Sequence, residues 1–171
     1  GVIVRRIDVN IFEISFRDQS VRVDLNLAHH RQYESPYPLS YHKVERGYFS
    51  VIHSGEGDGW DINRPTMSSI ICFQGKLFLV DAGPNLPTIL NALGISVSEI
   101  EGIFHTHSHD DHFAGLPTLM QTDHRIRYFA TPLVRAAVTK KLTAMLGFKE
   151  REFEHYFDVH DLDFDVWNKI D

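Results

Sequence analysis

The segment from Phe104 to Leu116 reads Phe-His-Thr-His-Ser-His-Asp-Asp-His-Phe-Ala-Gly-Leu. Four of the eleven histidines of the chain, together with two aspartates, fall within the eight residues 105–112. Neutral imidazoles and carboxylates are the side chains that bind divalent transition metals, and few structural roles require so many of them together. The segment therefore predicts a metal site, and the rest of the chain is best interpreted from it.

The spacing of these side chains indicates two neighbouring metal positions. An apolar strand is predicted to end at Thr106, and in extended backbone residues two apart point to the same side. His107 and His109 can therefore reach one metal, whereas Asp111 and His112 follow at the start of a helix and can reach a second. Two-metal hydrolases hold their ions roughly 3.5–4 Å apart. The alternative is a solvated polar loop, which four spaced ligands between an apolar strand and an apolar helix disfavour.

Two other polar residues of the segment are not predicted to bind metal. His105 continues directly from the apolar strand, and we expect it to pack or to form a hydrogen bond beneath the sheet. Asp110 points away from its neighbours in extended backbone. This favours a solvated position, a helix cap or a supporting contact to a ligand.

The order of the predicted elements indicates a mixed α/β layered protein that opens with an antiparallel strand meander. Residues 28–47 carry Pro36 and Pro38 and interrupt the pattern as a loop or insertion. The segment after Gly147 has weak periodicity. We predict strands over 2–7, 11–16, 21–27, 48–53, 68–73, 76–80, 100–106 and 127–130, and helices over about 85–94, 111–122 and 132–146.

Composition limits the classes of partner. The 171 residues carry a formal net charge of −6, with 43% hydrophobic and 23% charged residues, and no basic stripe. A broad nucleic-acid-binding surface is therefore not predicted. A nucleotide substrate remains compatible with this charge, because a bound metal supplies positive charge of its own.

The single cysteine, Cys72, excludes an internal disulfide and favours a reducing, cytoplasmic setting. Its apolar surroundings predict a buried small hydrophobe. No apolar stretch of about 18 residues is present, so we expect no membrane span. The chain opens at Gly1 without a signal segment and stops without a closing element, and we expect it to be a piece of something longer.

Residues 106–116 resemble the signature of the metallo-β-lactamase superfamily. Residues 78–84, Phe-Leu-Val-Asp-Ala-Gly-Pro, resemble that superfamily's first motif, in which a strand ends in Asp-x-Gly. The resemblance implies that Asp81 supports the ligand loop and does not itself bind metal. A turn residue that closes a hairpin strand is the alternative for Asp81.

A second resemblance lies upstream, in the glycine-rich segment 55–59 and the residues that follow it. Together with Arg64 and Ser68-Ser69, this segment is similar to the opening of the phosphodiesterase-like branch of the superfamily. That branch includes tRNA 3′-processing endonucleases and some cyclic-nucleotide phosphodiesterases. The resemblance implies substrate contacts from Gly57, Arg64 and Ser69. The alternative is a plain flexible loop with ordinary surface and strand positions.

The ligand inventory departs from the superfamily pattern, which needs two further histidines and a bridging aspartate downstream. His124, His155 and His160 lack the small residues of a tight ligand loop, and we expect none of them to bind metal. The resemblance thus implies the N-terminal half of an αββα sandwich. In this interpretation residues 1–171 form one incomplete domain, with 1–47 a β-rich extension and 48–171 the first half of the hydrolase.

The function implied by the resemblance is metal-dependent hydrolysis by a hydroxide that two divalent metals activate, with Asp111 as a catalytic ligand. Zinc is favoured because position 109 is histidine and not glutamate; manganese and iron are alternatives. A small-molecule or nucleotide phosphodiester is the favoured substrate.

Several alternatives remain open at this point. The same metal site would serve a hydrolase of thioesters, lactones or lactams. The chain would otherwise be a truncated, non-catalytic metal-binding or regulatory module, or a di-iron redox or oxygen-sensing protein. Because the downstream ligands are missing, we expect the chain alone to be inactive. Its partner would then be the missing C-terminal half or, through an exposed apolar face, another copy of itself.

Overall fold

The computed structural model describes residues 1–26, 28–30, 42–61 and 63–170, and it contains two separate sheets. The chain divides into two compact units, Gly1–Glu34 and Ser35–Asp171. The predicted division near residue 47, into an extension and the first half of a hydrolase domain, stays a prediction.

The first unit is an antiparallel meander, as predicted, and its strands are β1 (Val2–Asp8), β2 (Ile11–Phe16) and β3 (Gln19–Asp24). The third strand begins two residues earlier than predicted, because Arg17 takes a left-handed backbone conformation with φ 56° and closes a tight turn. Phe16 consequently pairs with Gln19. The predicted end of this strand, Leu27, lies outside the described residues.

The second unit contains a six-stranded mixed sheet, which confirms the predicted fold class. The strands lie in the order β4 to β9; the first three are antiparallel, and the pairs from β6 to β9 are parallel. The strands are β4 (Phe49–Gly55), β5 (Ser68–Phe73), β6 (Lys76–Val80), β7 (Ile100–Phe104), β8 (Ile126–Ala130) and β9 (Phe157–Asp161). The helices are α1 (Leu86–Ala92), α2 (Asp110–Phe113), α3 (Leu116–Leu119), α4 (Pro132–Leu146) and α5 (Phe153–Tyr156), with 3-10 turns at Val97–Glu99 and Glu150–Glu152.

One face of this sheet forms the core. In β5, Ile70 and Cys72 are fully buried, whereas Phe73 on the alternate face is 43% exposed. This is the period-two alternation of a strand with one covered side, and Cys72 is the buried small hydrophobe that was predicted. The apolar residues packed with them include Leu79, Leu86, Leu90, Ile103, Leu116, Val138 and Leu142.

The predicted helix over 111–122 is wrong, because the segment forms two short helices, α2 and α3. Pro117 lies in the first turn of α3, and it lacks the N–H that a continuous helix would need. Gly115 at the junction packs tightly against the turn after β6: a Cβ there would lie 2.3 Å from the Gly83 carbonyl oxygen. The interruption therefore holds the histidine segment close to that turn.

The C-terminal part of the second unit contains a helix that was predicted and a strand that was not. Helix α4 starts at Pro132 and ends before Gly147, which has φ 75°, as predicted. Strand β9 was not predicted, because a short edge strand carrying Asp158, His160 and Asp161 has no clear hydrophobic alternation. Within the described ranges, no helix combines the length and apolar character that crossing a bilayer requires.

Candidate metal centre

The candidate site lies where two neighbouring parallel strands, β6 and β7, end at the same edge of the sheet. Asp81 directly follows β6, and its backbone N–H donates to the Phe104 carbonyl at the end of β7 (2.9 Å). The chain after β7 then carries His105 to His109 across this edge and enters α2. Carboxyl ends of parallel strands are where open α/β sheets place their ligands.

Asp81 connects the separate parts of the site. Its backbone has φ 63°, an uncommon conformation that Asp tolerates better than most residues. One carboxylate oxygen accepts a hydrogen bond from the Thr106 N–H (2.8 Å). The other lies 2.6 Å from the Thr106 hydroxyl and 2.9 Å from His112 Nδ1, and both Asp81 and His112 are buried. Because Asp81 holds Nδ1 of His112, Nε2 of that ring remains available for another ligand.

Thr106 fixes the neighbouring imidazole in the same way. Its hydroxyl donates its one proton to Asp81, so it accepts the Nδ1–H of His107 at 2.8 Å. In the neutral ring, Nε2 of His107 is then the nitrogen without a proton. Burial, followed by the nearby His112, lowers the pKa of His107, which keeps the ring neutral as metal binding requires. Sequence reasoning did not identify Thr106 as a functional residue, although its place directly before the ligand segment was visible.

The three imidazoles converge. Nε2 of His107 lies 3.1 Å from Nδ1 of His109, and the ring centres of His107 and His112 are 3.9 Å apart. Two nitrogen ligands of a tetrahedral zinc, each at about 2.0–2.1 Å from the ion, are roughly 3.3 Å apart. The observed nitrogen separation is close to that value, so this donor set fits a metal ion without large rearrangement.

Asp111 extends the ligand set toward solvent. Its Oδ2 lies 3.5 Å from Nε2 of His112, which is again close to the separation of two ligands on one ion. Asp81, His107 and His112 also form a group whose ligand atoms all lie within 4.8 Å of one another. The oxygens of Asp81 already accept hydrogen bonds from Thr106 and face His112 Nδ1. Asp111 is therefore the better candidate ligand, and Asp81 the better support.

His105 occupies a different environment. It is buried beside the ring of Tyr128 (5.6 Å between centroids), which confirms the expectation that it packs beneath the sheet. Burial lowers its pKa to about 4, against a smaller opposing effect of the Asp81 carboxylate. Within the described part of the chain, neither ring nitrogen makes a well-formed hydrogen bond. His105 therefore acts as a neutral core residue in this structure.

The glycine-rich segment packs against residues 64–66. Gly57 donates its N–H to the Pro65 carbonyl (2.7 Å), and a Cβ on Gly57 would lie 2.3 Å from the Arg64 carbonyl oxygen. A Cβ on Gly59, which has φ 77°, would collide with the Thr66 hydroxyl. Close backbone packing thus explains why glycine stands at these positions. The substrate contact predicted for Gly57 stays a prediction.

The residues around this loop are connected to the Asp81 turn. The hydroxyl of Ser68 lies 3.0 Å from the Val80 carbonyl oxygen and 3.2 Å from that of Asp81, and its one proton is shared between them. Ser69, its half-buried neighbour in β5, pairs with Val80 in the sheet. Asn85 precedes α1 without a side-chain cap, and its Oδ1 instead accepts hydrogen bonds from the N–H and the hydroxyl of Thr66. The substrate roles predicted for Ser69 and for Arg64, which lies beside the loop, stay predictions.

The later histidines lie apart from the candidate ligands in the described part of the chain. His124 lies 2.9 Å from the Asp123 carboxylate, and His160 lies 3.0 Å from Asp158. The side chain of His155 is exposed. Asp81, His107 and His112 form the compact group of potential ligands in the described residues, His109 contacts His107, and Asp111 lies beside His112. No later histidine belongs to that group.

Two kinds of known protein are similar to parts of this chain. Ribonuclease Z of Clostridium kluyveri is 38% identical over 60 residues, which are 35% of this chain and 20% of that protein. The cAMP/cGMP-dependent 3′,5′-cAMP/cGMP phosphodiesterase B of Dictyostelium discoideum is 27% identical over 117 residues, 67% of this chain and 11% of that protein. The matched segments span about a fifth or less of these relatives.

A solved structure gives the fold. The metallo-beta-lactamase fold protein YhfI from Bacillus subtilis superposes with a TM-score of 0.50 at 16% identity, covering 68% of this chain and 46% of that one. The metallo-β-lactamase fold that the sequence resemblance implies is therefore confirmed. The model of one protein family matches residues 49–170, most of the chain. The chain belongs to that family, which is described as anti-Pycsar protein Apyc1.

Proposed function

We propose that the protein is a metal-dependent hydrolase that cleaves phosphodiesters. The observation that carries the proposal is the convergence of His107 and His109, with ring nitrogens 3.1 Å apart, next to His112 and Asp111. The hydrogen bonds of Thr106 with His107 and of Asp81 with His112 aim these two rings, and preorganisation of this kind is what an efficient site requires.

The bound metals in this proposal are two divalent ions, with zinc as the first choice. His107 and His109 would hold one ion, and Asp111 and His112 the other. Zinc supplies Lewis acidity and lowers the pKa of bound water to about 7. Four protein ligands are too few for two closed sites. Further ligands would therefore come from a second half of the same protein or from a partner chain.

The chain's own residues would control the approach of substrate. His112 is buried, His107 and Asp111 are half-buried, and His109 is exposed. The ligand cluster is consequently open to solvent on the His109 side and closed by Asp81 on the other. Substrate would enter from the open side, while Asp81 and Thr106 keep the ligand rings fixed in tautomer and direction.

A small nucleotide phosphodiester fits this chain better than RNA does. The net charge is −6, and RNA-binding surfaces are usually basic because phosphate contacts dominate their affinity. The Dictyostelium phosphodiesterase resembles 67% of this chain, which favours 3′,5′-cyclic nucleotides as the first substrates to test. The resemblance to tRNA 3′-processing endonucleases, together with the match to ribonuclease Z, makes a tRNA precursor the second.

The test is a substrate panel on the full-length, zinc-loaded protein. It contains an aryl phosphodiester, purine and pyrimidine 3′,5′-cyclic nucleotides, a tRNA precursor with a 3′ trailer, a thioester, a lactone and a lactam. We expect hydrolysis of the cyclic nucleotides and a loss of more than about 100-fold in kcat/KM for His109→Ala. His124→Ala is the control, because His124 lies apart from the ligands. Loaded protein that is inert on every phosphodiester would refute the proposal.

The cell compartment is part of the same proposal. We propose a cytoplasmic location, which the one free cysteine supports. Cys72 is buried in the core, and a chain without disulfides suits a reducing compartment.

A further inference from the structure

We propose that Lys141 is a positioning residue for the metal-ligand segment. Its ammonium group holds the peptide between His107 and His109 and so sets the direction of the His109 ring. The inference rests on the proposed metal site, and it adds to that site a residue that lies 33 positions away from Ser108 in the chain.

The contacts of Lys141 all fall within one short stretch. Its Nζ donates to the Ser108 carbonyl (2.6 Å) and to Oδ1 of Asp110 (2.8 Å). The same atom lies 5.3 Å from the centre of the Phe113 ring, within the range of a cation–π contact. One ammonium group therefore holds the backbone and a side chain on either side of His109.

The hydrogen bond from Lys141 restrains His109, whereas Asp81 and Thr106 support the other two imidazoles. Buried Asp81 holds His112, and Thr106 holds His107. The His109 side chain is exposed, so burial contributes little to holding its ring, which contacts the ring of His107. Ser108 contributes the peptide carbonyl that precedes His109, and rotation of that peptide would turn the His109 ring away from His107. The hydrogen bond from Lys141 restrains this rotation.

Lys141 is itself held by a rigid element. It lies on α4, which is anchored in the second unit by the buried residues Val138 and Leu142. A lysine on a mobile loop would follow the ligand segment and would not restrain it, whereas one on a packed helix can act as a fixed point. Asp110 balances the positive charge of Lys141 beside the metal site.

The ion pair with Asp110 is largely exposed, with 44% and 64% of the two side chains accessible. Exposed pairs of this kind contribute little to global stability. Removing the ammonium group should therefore leave the thermal midpoint of the metal-free protein near the wild-type value. Metal affinity should instead fall by about 10–100-fold, as it does when groups that orient metal ligands are removed.

The experiment measures Co²⁺ affinity and the visible Co²⁺ spectrum of the full-length protein in three variants. Lys141→Met keeps the aliphatic stem and removes the charge, Lys141→Arg restores a donor, and Lys140→Met removes the adjacent exposed lysine as a matched control. We expect Lys141→Met to raise the Kd for Co²⁺ about 10–100-fold and to change the spectrum. Lys141→Arg should recover most of the affinity, and Lys140→Met should behave as wild type.

The outcomes separate this inference from the proposed function. Wild-type affinity and spectrum in Lys141→Met, together with lost affinity in His109→Ala, would overturn the role of Lys141 and leave the metal site intact. Unchanged affinity in His109→Ala as well would overturn both. If Lys141→Met also lowers the metal-free midpoint, Lys141→Arg decides the matter: recovery of the midpoint without recovery of affinity or spectrum would contradict positioning.

Discussion

At the level of single residues, the Asp81 carboxylate contacts both Thr106 and His112. It therefore supports the imidazole of His112 directly and that of His107 through Thr106. Asp81→Asn keeps its size but presents an amide N–H₂ to donors on Thr106 or His112. We expect the free energy of unfolding to fall by about 1.5–3 kcal/mol, the range for hydrogen bonds to charged groups. Zinc affinity should fall about 10–100-fold.

Urea unfolding of the metal-free protein and a chelator competition assay measure these two effects. Asp123→Asn is the matched control, because Asp123 also faces a histidine but lies exposed. Equal effects of the two substitutions would show that Asp81 has no special part in the site.

His105 gives the stability of the metal-free protein a defined pH dependence. Burial lowers its pKa to about 4, whereas in the unfolded chain the group titrates near its ordinary value of about 6.5. Between these values the unfolded chain binds the proton and the folded protein does not. The stability associated with neutral His105 is thus fully present above pH ~6.5 and is lost as the pH falls toward 4.

His105→Leu should reduce this dependence. Urea unfolding at pH 7 and pH 5 should show a smaller loss of stability on acidification for the variant than for the wild type. An identical loss in both proteins would indicate that His105 does not titrate in this way. Because His105 is not a ligand, zinc affinity at pH 7 should stay near that of the wild type.

At the level of elements, the junction between α2 and α3 decides how closely the ligand segment approaches the Asp81 turn. A Cβ on Gly115 would meet backbone atoms of Gly83 and Ala82, which cannot move independently of that turn. We expect Gly115→Ala to lower the free energy of unfolding by about 1–3 kcal/mol through overpacking, and to weaken zinc binding.

Gly147→Ala is the comparison for this variant. Gly147 has φ 75° but open space around it, so its substitution carries only the backbone cost of about 1–2 kcal/mol and should spare zinc binding. Zinc titration of both variants separates the two effects. Full zinc affinity in Gly115→Ala would contradict the coupling of this junction to the site.

Elements differ in how well the sequence predicts them, and the reasons are physical. Helix α4 has Pro132 at its start and Gly147 at its end, so local chemistry defines both boundaries. The apolar pattern over 111–122 suggested one helix, but the cost of Pro117 outweighed periodicity. Strand β9 depends on its parallel partner β8, and such a long-range pairing leaves little local signal.

The candidate site also contains residues that local sequence predicts and residues that only long-range packing brings in. The spacing of His107, His109, Asp111 and His112 lies within six residues, and local backbone geometry suffices to predict that they point together. The supports do not share that property: Lys141 and Asp81 reach the segment only through the packing of α4 and the pairing of β6 with β7. Asp81 entered through a resemblance, and Lys141 had no sequence signal.

At the level of the whole molecule, metal binding should be coupled to folding. The ligand geometry exists only in the folded chain, so an ion that binds the folded state stabilises it. Free zinc at about 1,000 times its Kd should add about 4 kcal/mol to the free energy of unfolding of the full-length protein. A chelator should reverse the gain.

His107→Ala should remove most of this stabilisation, and His155→Ala should not, because His155 lies outside the ligand group. Thermal unfolding with and without zinc measures both. An equal increase in midpoint for wild type and His107→Ala would mean that zinc stabilises the protein from another position.

The four clustered side chains are expected to bind the metal ions, and the zinc content of the full-length protein measures this. Wild-type protein and the alanine variants of His107, His109, Asp111 and His112 are loaded with zinc, dialysed and analysed for zinc per chain, with His124→Ala as control. We predict two zinc ions per chain in the wild type and control, and fewer in each of the four variants. Wild-type zinc content in all four variants would contradict the account.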